Sequence, residues 1–133
     1  VRGDVLRQYS FATDLGRREN EILGEDEIDF MRRLLADGHL GSWVPNNPVQ
    51  HVIPADRANS RYVFDYFVGQ GRALVVKESA WHGNASVLLK EAKSEYRKYW
   101  MRRLFAGSDV WCSHLIRSAL AKGQAVELNA ATK

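Results

Sequence analysis

The sequence predicts a mixed α/β chain that is predominantly α-helical. Three observations predict it. Ile28, Met31, Leu34 and Leu35 recur at helical spacing. From Ala85 onward, apolar residues repeat at three and four almost to the end of the chain. Between these stretches, Ser42-Trp43-Val44 and Val49-Gln50-His51-Val52-Ile53 are short apolar runs around Pro45-Asn46-Asn47-Pro48. That pattern predicts two short strands and a turn.

The elements follow in order. Val1 to Leu6 reads as a short strand or the start of a helix. Tyr9 to Glu21 is polar, contains Gly16, and reads as a loop. A helix of about three turns is expected over Glu25 to Asp37. Glu25, Asp26 and Glu27 crowd its first turn, where carboxylates complement the positive helix end, and Gly38 supplies a stop. Pro54 closes the second strand. Arg57 to Val76, with Tyr62, Phe64, Tyr66, Phe67 and Val68, predicts a helix weakened in its middle by Gly69 and Gly71. Trp81-His82-Gly83-Asn84 predicts a turn.

A helix then carries Leu88, Leu89, Ala92, Tyr96, Tyr99, Trp100, Arg103 and Leu104, which repeat at three and four. Gly107 breaks it, and Ser108 or Asp109 can cap the next. Val110, Leu115, Ile116, Ala119 and Leu120 continue the pattern to Gly123, after which the last ten residues are expected to fray. Composition shifts near residue 80, dividing the chain into 1–80 and a helical extension, 81–133.

The 133 residues fit one domain and can hide about two thirds of their unfolded surface. With 45% hydrophobic and 26% charged residues, the composition excludes a disordered or low-complexity chain. No run of about 18 apolar residues occurs, which excludes a membrane-spanning helix. The net charge of +3 and pI near 9.2 are too weak to mark a nucleic-acid binder. A single cysteine, Cys112, excludes an internal disulfide and favours a reducing compartment, the cytoplasm. Its apolar surroundings make it a core residue. No signal peptide follows Val1.

Three constellations can carry function. Gly24-Glu25-Asp26-Glu27 opens a helix. Its carboxylates either partner the helix dipole or stand at a site rim, ready to take a proton from a hydroxyl. His51 ends a short strand and needs carboxylate partners to hold a metal. Lys90, Lys93, Arg97, Lys98, Arg102 and Arg103 alternate with Tyr96, Tyr99, Trp100 and Phe105. That is a solvated basic face, or a helix lying on an anionic membrane. His39, His82 and His114 show no metal-site spacing. Ser79 and Ser86 near His82 lack the Gly-x-Ser-x-Gly elbow of a hydrolase.

Taken in order, several segments resemble a known whole. They are Val1 to Leu6, Phe11 to Arg18, Leu23-Gly24-Glu25-Asp26-Glu27-Ile28-Asp29-Phe30 and Arg32 to Gly38. Trp43, Val44-Pro45, His51-Val52-Ile53-Pro54-Ala55-Asp56-Arg57, Tyr62 and Gly69-Gln70-Gly71-Arg72 follow. Together, over residues 1–76, they resemble the second half of a family 2 glycosyltransferase of the GT-A fold.

The resemblance implies that a parent enzyme transfers a sugar from a nucleotide-diphosphate sugar donor to a hydroxyl of a saccharide or lipid-linked acceptor. It implies Asp26 as general base and Glu25 beside it on the acceptor. It implies His51 in the shell of a Mg²⁺ or Mn²⁺ ion, and Trp43 and Arg57 in substrate binding. The strands would edge a parent sheet, and a strand-rich segment of about 100 residues would precede Val1. Without that nucleotide-binding half, the chain is expected to be inactive alone. Residues 81–133 lie outside the match and are expected to touch the membrane peripherally, at its cytoplasmic face. No nucleic-acid partner is expected. The competing expectation is a non-catalytic helical interaction or membrane-peripheral module.

Overall fold

A computed structural model describes residues 3–13, 15–18, 21–22, 25–42, 44–46, 48–77 and 83–131. Helix α1 spans Gly3–Leu6, α2 Asp26–Ala36, α3 Ser60–Lys77, α4 Ala85–Arg102 and α5 Ser108–Ala131. A single 3₁₀ turn, Ala55–Arg57, precedes α3. The one pairing of extended chain among the described residues joins β1 (Arg17–Arg18) to β2 (Glu21–Ile22), antiparallel and two residues long.

The α/β expectation is therefore overturned. No strand forms over the described residues of Ser42–Val44 or over Val49–Ile53, which run as exposed irregular chain. The two-residue ladder has no sheet to join. The apolar runs at 42–53 have the composition of strands but no partner backbone, and an unpaired strand has nothing to satisfy its ladder groups. The fold is a small helical one.

Its centre is α5. Helices α4 and α5 form an antiparallel hairpin. Asn84 caps α4, its side-chain oxygen accepting from the amides of Ser86 (2.9 Å) and Val87 (3.4 Å). Ala92 faces Ser118, whose hydroxyl donates to the Ala92 carbonyl at 2.8 Å. Glu95 faces His114, and Tyr99 faces Trp111.

On its other side α5 crosses α3 at very short range. A Cβ on Gly71 would run into the carbonyl oxygen of Leu120, and one on Gly123 into that of Val68. Ala73, Ala119, Ala121 and Ala125 are buried around this crossing. Small side chains let two helices pack backbone against backbone, gaining dispersion contacts with little side-chain entropy to lose. Gly71 thus serves the crossing, and Gly69 is buried in the same helix. Gly123 is likewise a crossing point and not a stop. Helix α5 continues to Ala131, held beyond Gly123 by the ion pair of Glu127 with the guanidinium of Arg72 (2.8 Å). The expected fraying after Gly123 does not occur among the described residues.

The backbones of α3 and α4 stay apart, and Phe64 and Tyr96 meet across the gap with ring centroids 5.9 Å apart. A groove of about 360 Å³ opens there, floored by α5.

Helix α2 forms where the periodicity places it but buries a different face. Phe30 and Leu34 are buried, while Ile28, Met31 and Leu35 are exposed. The N-terminal segment explains the rotation. Phe11 stacks on Phe30 at 4.7 Å, Tyr9 meets Phe30 edge-on, and the Arg33 guanidinium donates to the Ser10 carbonyl at 2.7 Å. Leu15 packs with Ala73, with Ala12 and Val76 against them, and this joins the segment to α3. Among the described residues, no helix is long and apolar enough to cross a membrane.

Candidate functional site

The turn between α4 and α5, residues 103–107, exposes large apolar side chains at the end of a regular helical hairpin. Leu104 is 75% exposed and Phe105 90%, with Trp100 at 53% and Met101 at 59% beside them. Apolar side chains inside a helix can turn inward, but those at a hairpin tip have no core to reach. Contiguous apolar exposure of this kind marks an interaction surface.

The tip is built rigidly. Tyr99 is buried, with Trp100 and Trp111 at 5.3 and 5.9 Å between ring centroids. The Arg103 guanidinium lies 5.6 to 5.8 Å from the ring centres of Tyr99, Trp100 and Trp111 and donates to the Tyr99 hydroxyl at 2.7 Å. Cation–π and aromatic contacts of this kind fix the turn before any partner arrives. The Phe105 and Ala106 amides donate to the Arg102 carbonyl at 3.1 and 2.8 Å, closing the last turn of α4.

The helix that leads to the apolar tip is basic. Helix α4 carries five cations, Lys90, Lys93, Arg97, Lys98 and Arg102, against Glu91 and Glu95. Glu95 is buried and already partnered. Lys98 donates to one of its oxygens, and His114 Nδ1 stands 2.7 Å from the other. Burial acts to raise its pKa, but the hydrogen bonds of Lys98 and His114 outweigh burial and hold the carboxyl below its ordinary range. Asp109, in the first turn of α5, is the carboxylate nearest in sequence to the tip.

The residues singled out for transferase chemistry lie elsewhere. Glu25 caps α2 in a left-handed conformation, φ 77°, and its carboxylate meets the Lys77 ammonium at 3.4 Å. Asp26 is the first residue of α2, half-buried, with its carboxylate against Gly16. His51 is exposed on the irregular chain. Arg57 lies in the 3₁₀ turn with its guanidinium 5.7 Å from the ring centre of Tyr62. Trp43 lies outside the described residues, as do Gly24, Ser79, Trp81 and His82. The structure brings Glu25 and Asp26 together as chain neighbours, and no hydrogen bond or ion pair joins either to His51 or Arg57. Cys112 is half-buried rather than in the core.

Among the described residues, the donor set does not fit the Mg²⁺ or Mn²⁺ ion that the resemblance implied. Among the described residues, no three of His, Cys, Asp and Glu converge to hold an ion, and His51 meets no carboxylate there. A divalent cation of this type needs several oxygen or imidazole donors at once.

No family model, curated protein or solved structure matches this chain. The glycosyltransferase resemblance is thereby corrected. The regular structure of the described residues is helical apart from one two-residue ladder, and a GT-A fragment would carry strands of its parent sheet. Two of the motifs that suggested it have a local cause in this fold: the acidic helix start, where Glu25 pairs with Lys77, and Gly71, which lies against Leu120. The sugar-transfer chemistry rested on that resemblance alone.

Proposed function

We propose that the chain is a membrane-peripheral module that docks on an anionic lipid surface through the α4–α5 tip. The observation that carries this reading is the pairing of exposed Leu104 and Phe105 with Arg102 and Arg103 next to them in the chain and Arg97 further back on α4. Apolar side chains supply insertion into the headgroup region, and each nearby cation adds roughly 1 kcal/mol on an anionic leaflet. Trp100 has the amphipathic ring suited to the headgroup level. The cytoplasmic face, where anionic lipids concentrate, is the surface this charge pattern suits. Two copies of the chain meeting tip to tip would bring the same arginines face to face, which disfavours self-association through this surface.

Co-sedimentation with vesicles tests the reading. The full chain is mixed with vesicles of phosphatidylcholine alone, or of phosphatidylcholine with phosphatidylglycerol. Binding to the anionic vesicles at low salt, weakening as salt rises, supports docking. Equal recovery in the supernatant with both vesicle types removes it.

A further inference from the structure

The groove between α3 and α4 has the chemistry of a small-molecule site distinct from the tip. Phe64, Leu89, Ala92 and Tyr96 give it apolar walls, and Lys93 and Lys122 stand at it as well. Its volume of about 360 Å³ is at the lower end of the range for ligand pockets.

The two lysines decide what it would take. Neither forms an ion pair with a described carboxylate. Lys122 directs its ammonium at the Phe64 ring, 5.2 Å from the centroid, which keeps the charge over the groove. The nearby acid on α4, Glu95, is taken by Lys98 and His114. The Ser118 hydroxyl is spent on the Ala92 carbonyl. An apolar trough with two unmatched cations is complementary to a molecule with an apolar body and one anionic head. We propose that the groove binds a single-chain carboxylate amphiphile. Its chain lies on Phe64, Leu89, Ala92 and Tyr96, and its carboxylate pairs with Lys93 and Lys122. Charge-assisted pairing to an ammonium is stronger than a neutral hydrogen bond, so the head fixes the orientation and the trough supplies the rest.

The test uses sodium decanoate, below its aggregation concentration, titrated into the full chain without lipid and followed by amide NMR shifts and calorimetry. Saturable binding is expected, with shifts centred on Phe64, Leu89, Ala92 and Tyr96. Decanol, which keeps the chain and loses the charge, is expected to bind roughly tenfold more weakly. The double variant K93Q/K122Q changes two exposed side chains and is expected to fold normally. It should weaken decanoate by about tenfold and leave decanol unchanged. Absence of saturable binding overturns the proposal. So does equal affinity for decanol and decanoate, or a double variant that binds decanoate as the native chain does. Since no membrane is present, failure here leaves the vesicle result standing, and failure there leaves this one standing.

Discussion

Gly123 of α5 lies against the carbonyl oxygen of Val68 in α3, with no room between the helices for a side chain. The crossing is closed by this contact and its companion, Gly71 against Leu120. Most of what holds α3 to the α4–α5 hairpin follows from it, because the buried residues nearby are alanines and valine rather than large side chains.

Enlarging that contact must part the helices. Gly123→Ala is expected to lower the unfolding free energy by about 2 kcal/mol, even though alanine favours a helix over glycine by about 1 kcal/mol. Gly41→Ala, where a Cβ meets nothing within 4 Å, is the control and should be near neutral. Urea unfolding followed by circular dichroism reads both.

Glu25 holds a left-handed conformation that a side chain pays to adopt, and its ion pair with Lys77 offsets part of that cost. Glu25→Ala loses the ion pair and keeps the strain. Glu25→Gly loses the ion pair and relieves it. The glycine variant should therefore be the more stable of the two by about 1 kcal/mol. The same unfolding measurement reads it, and a more stable alanine variant would contradict it.

The buried Glu95 makes stability depend on acid. Burial raises its pKa, but Lys98 and His114 lower it further, so the folded value lies below the unfolded one. Its contribution is therefore fully present above the ordinary glutamate range and is lost as pH falls through the depressed folded value. Glu95→Gln should be less stable at pH 7, by about 1–3 kcal/mol, because Lys98 and His114 lose their acceptor charge. Its melting temperature should then fall less steeply than the native protein's on acidification. Thermal melts across that range show the crossover or its absence.

The tip can be stripped without touching the core. Leu104 is 75% and Phe105 90% exposed, so L104S/F105S should leave the melting temperature nearly unchanged. Its partition to anionic vesicles should fall about tenfold or more, since each anchor contributes on the order of 1 kcal/mol when covered. Arg97→Gln with Arg102→Gln should instead flatten the salt dependence.

Much of the helical scaffold was legible in the sequence. The periodicity of Ile28 to Leu35 located α2, Ala85 and Gly107 bounded α4 and its turn, and the run from Tyr62 located α3. The buried face of α2 was not legible, because Tyr9 and Phe11 compete for Phe30 from a segment that reads as a polar loop. The end of α5 was misjudged because a glycine at a close crossing and a glycine at a helix stop look alike in one dimension. The strands at 42–53 failed because apolar composition does not create a pairing partner. Leu104 sits on the helix-period face of α4 in sequence, and its exposure depends on the helix ending two residues earlier, at Arg102.

Depth in the bilayer tests the docking claim most directly. A nitroxide placed through Ala106→Cys, with Cys112→Ala removing the other thiol, keeps Leu104, Phe105 and the arginines in place. On vesicles containing phosphatidylglycerol, electron paramagnetic resonance with oxygen and a water-soluble nickel complex should place the label at or below the phosphate level. On phosphatidylcholine alone it should stay in water. A label that remains fully accessible to the nickel complex while the protein is bound would contradict docking through the tip.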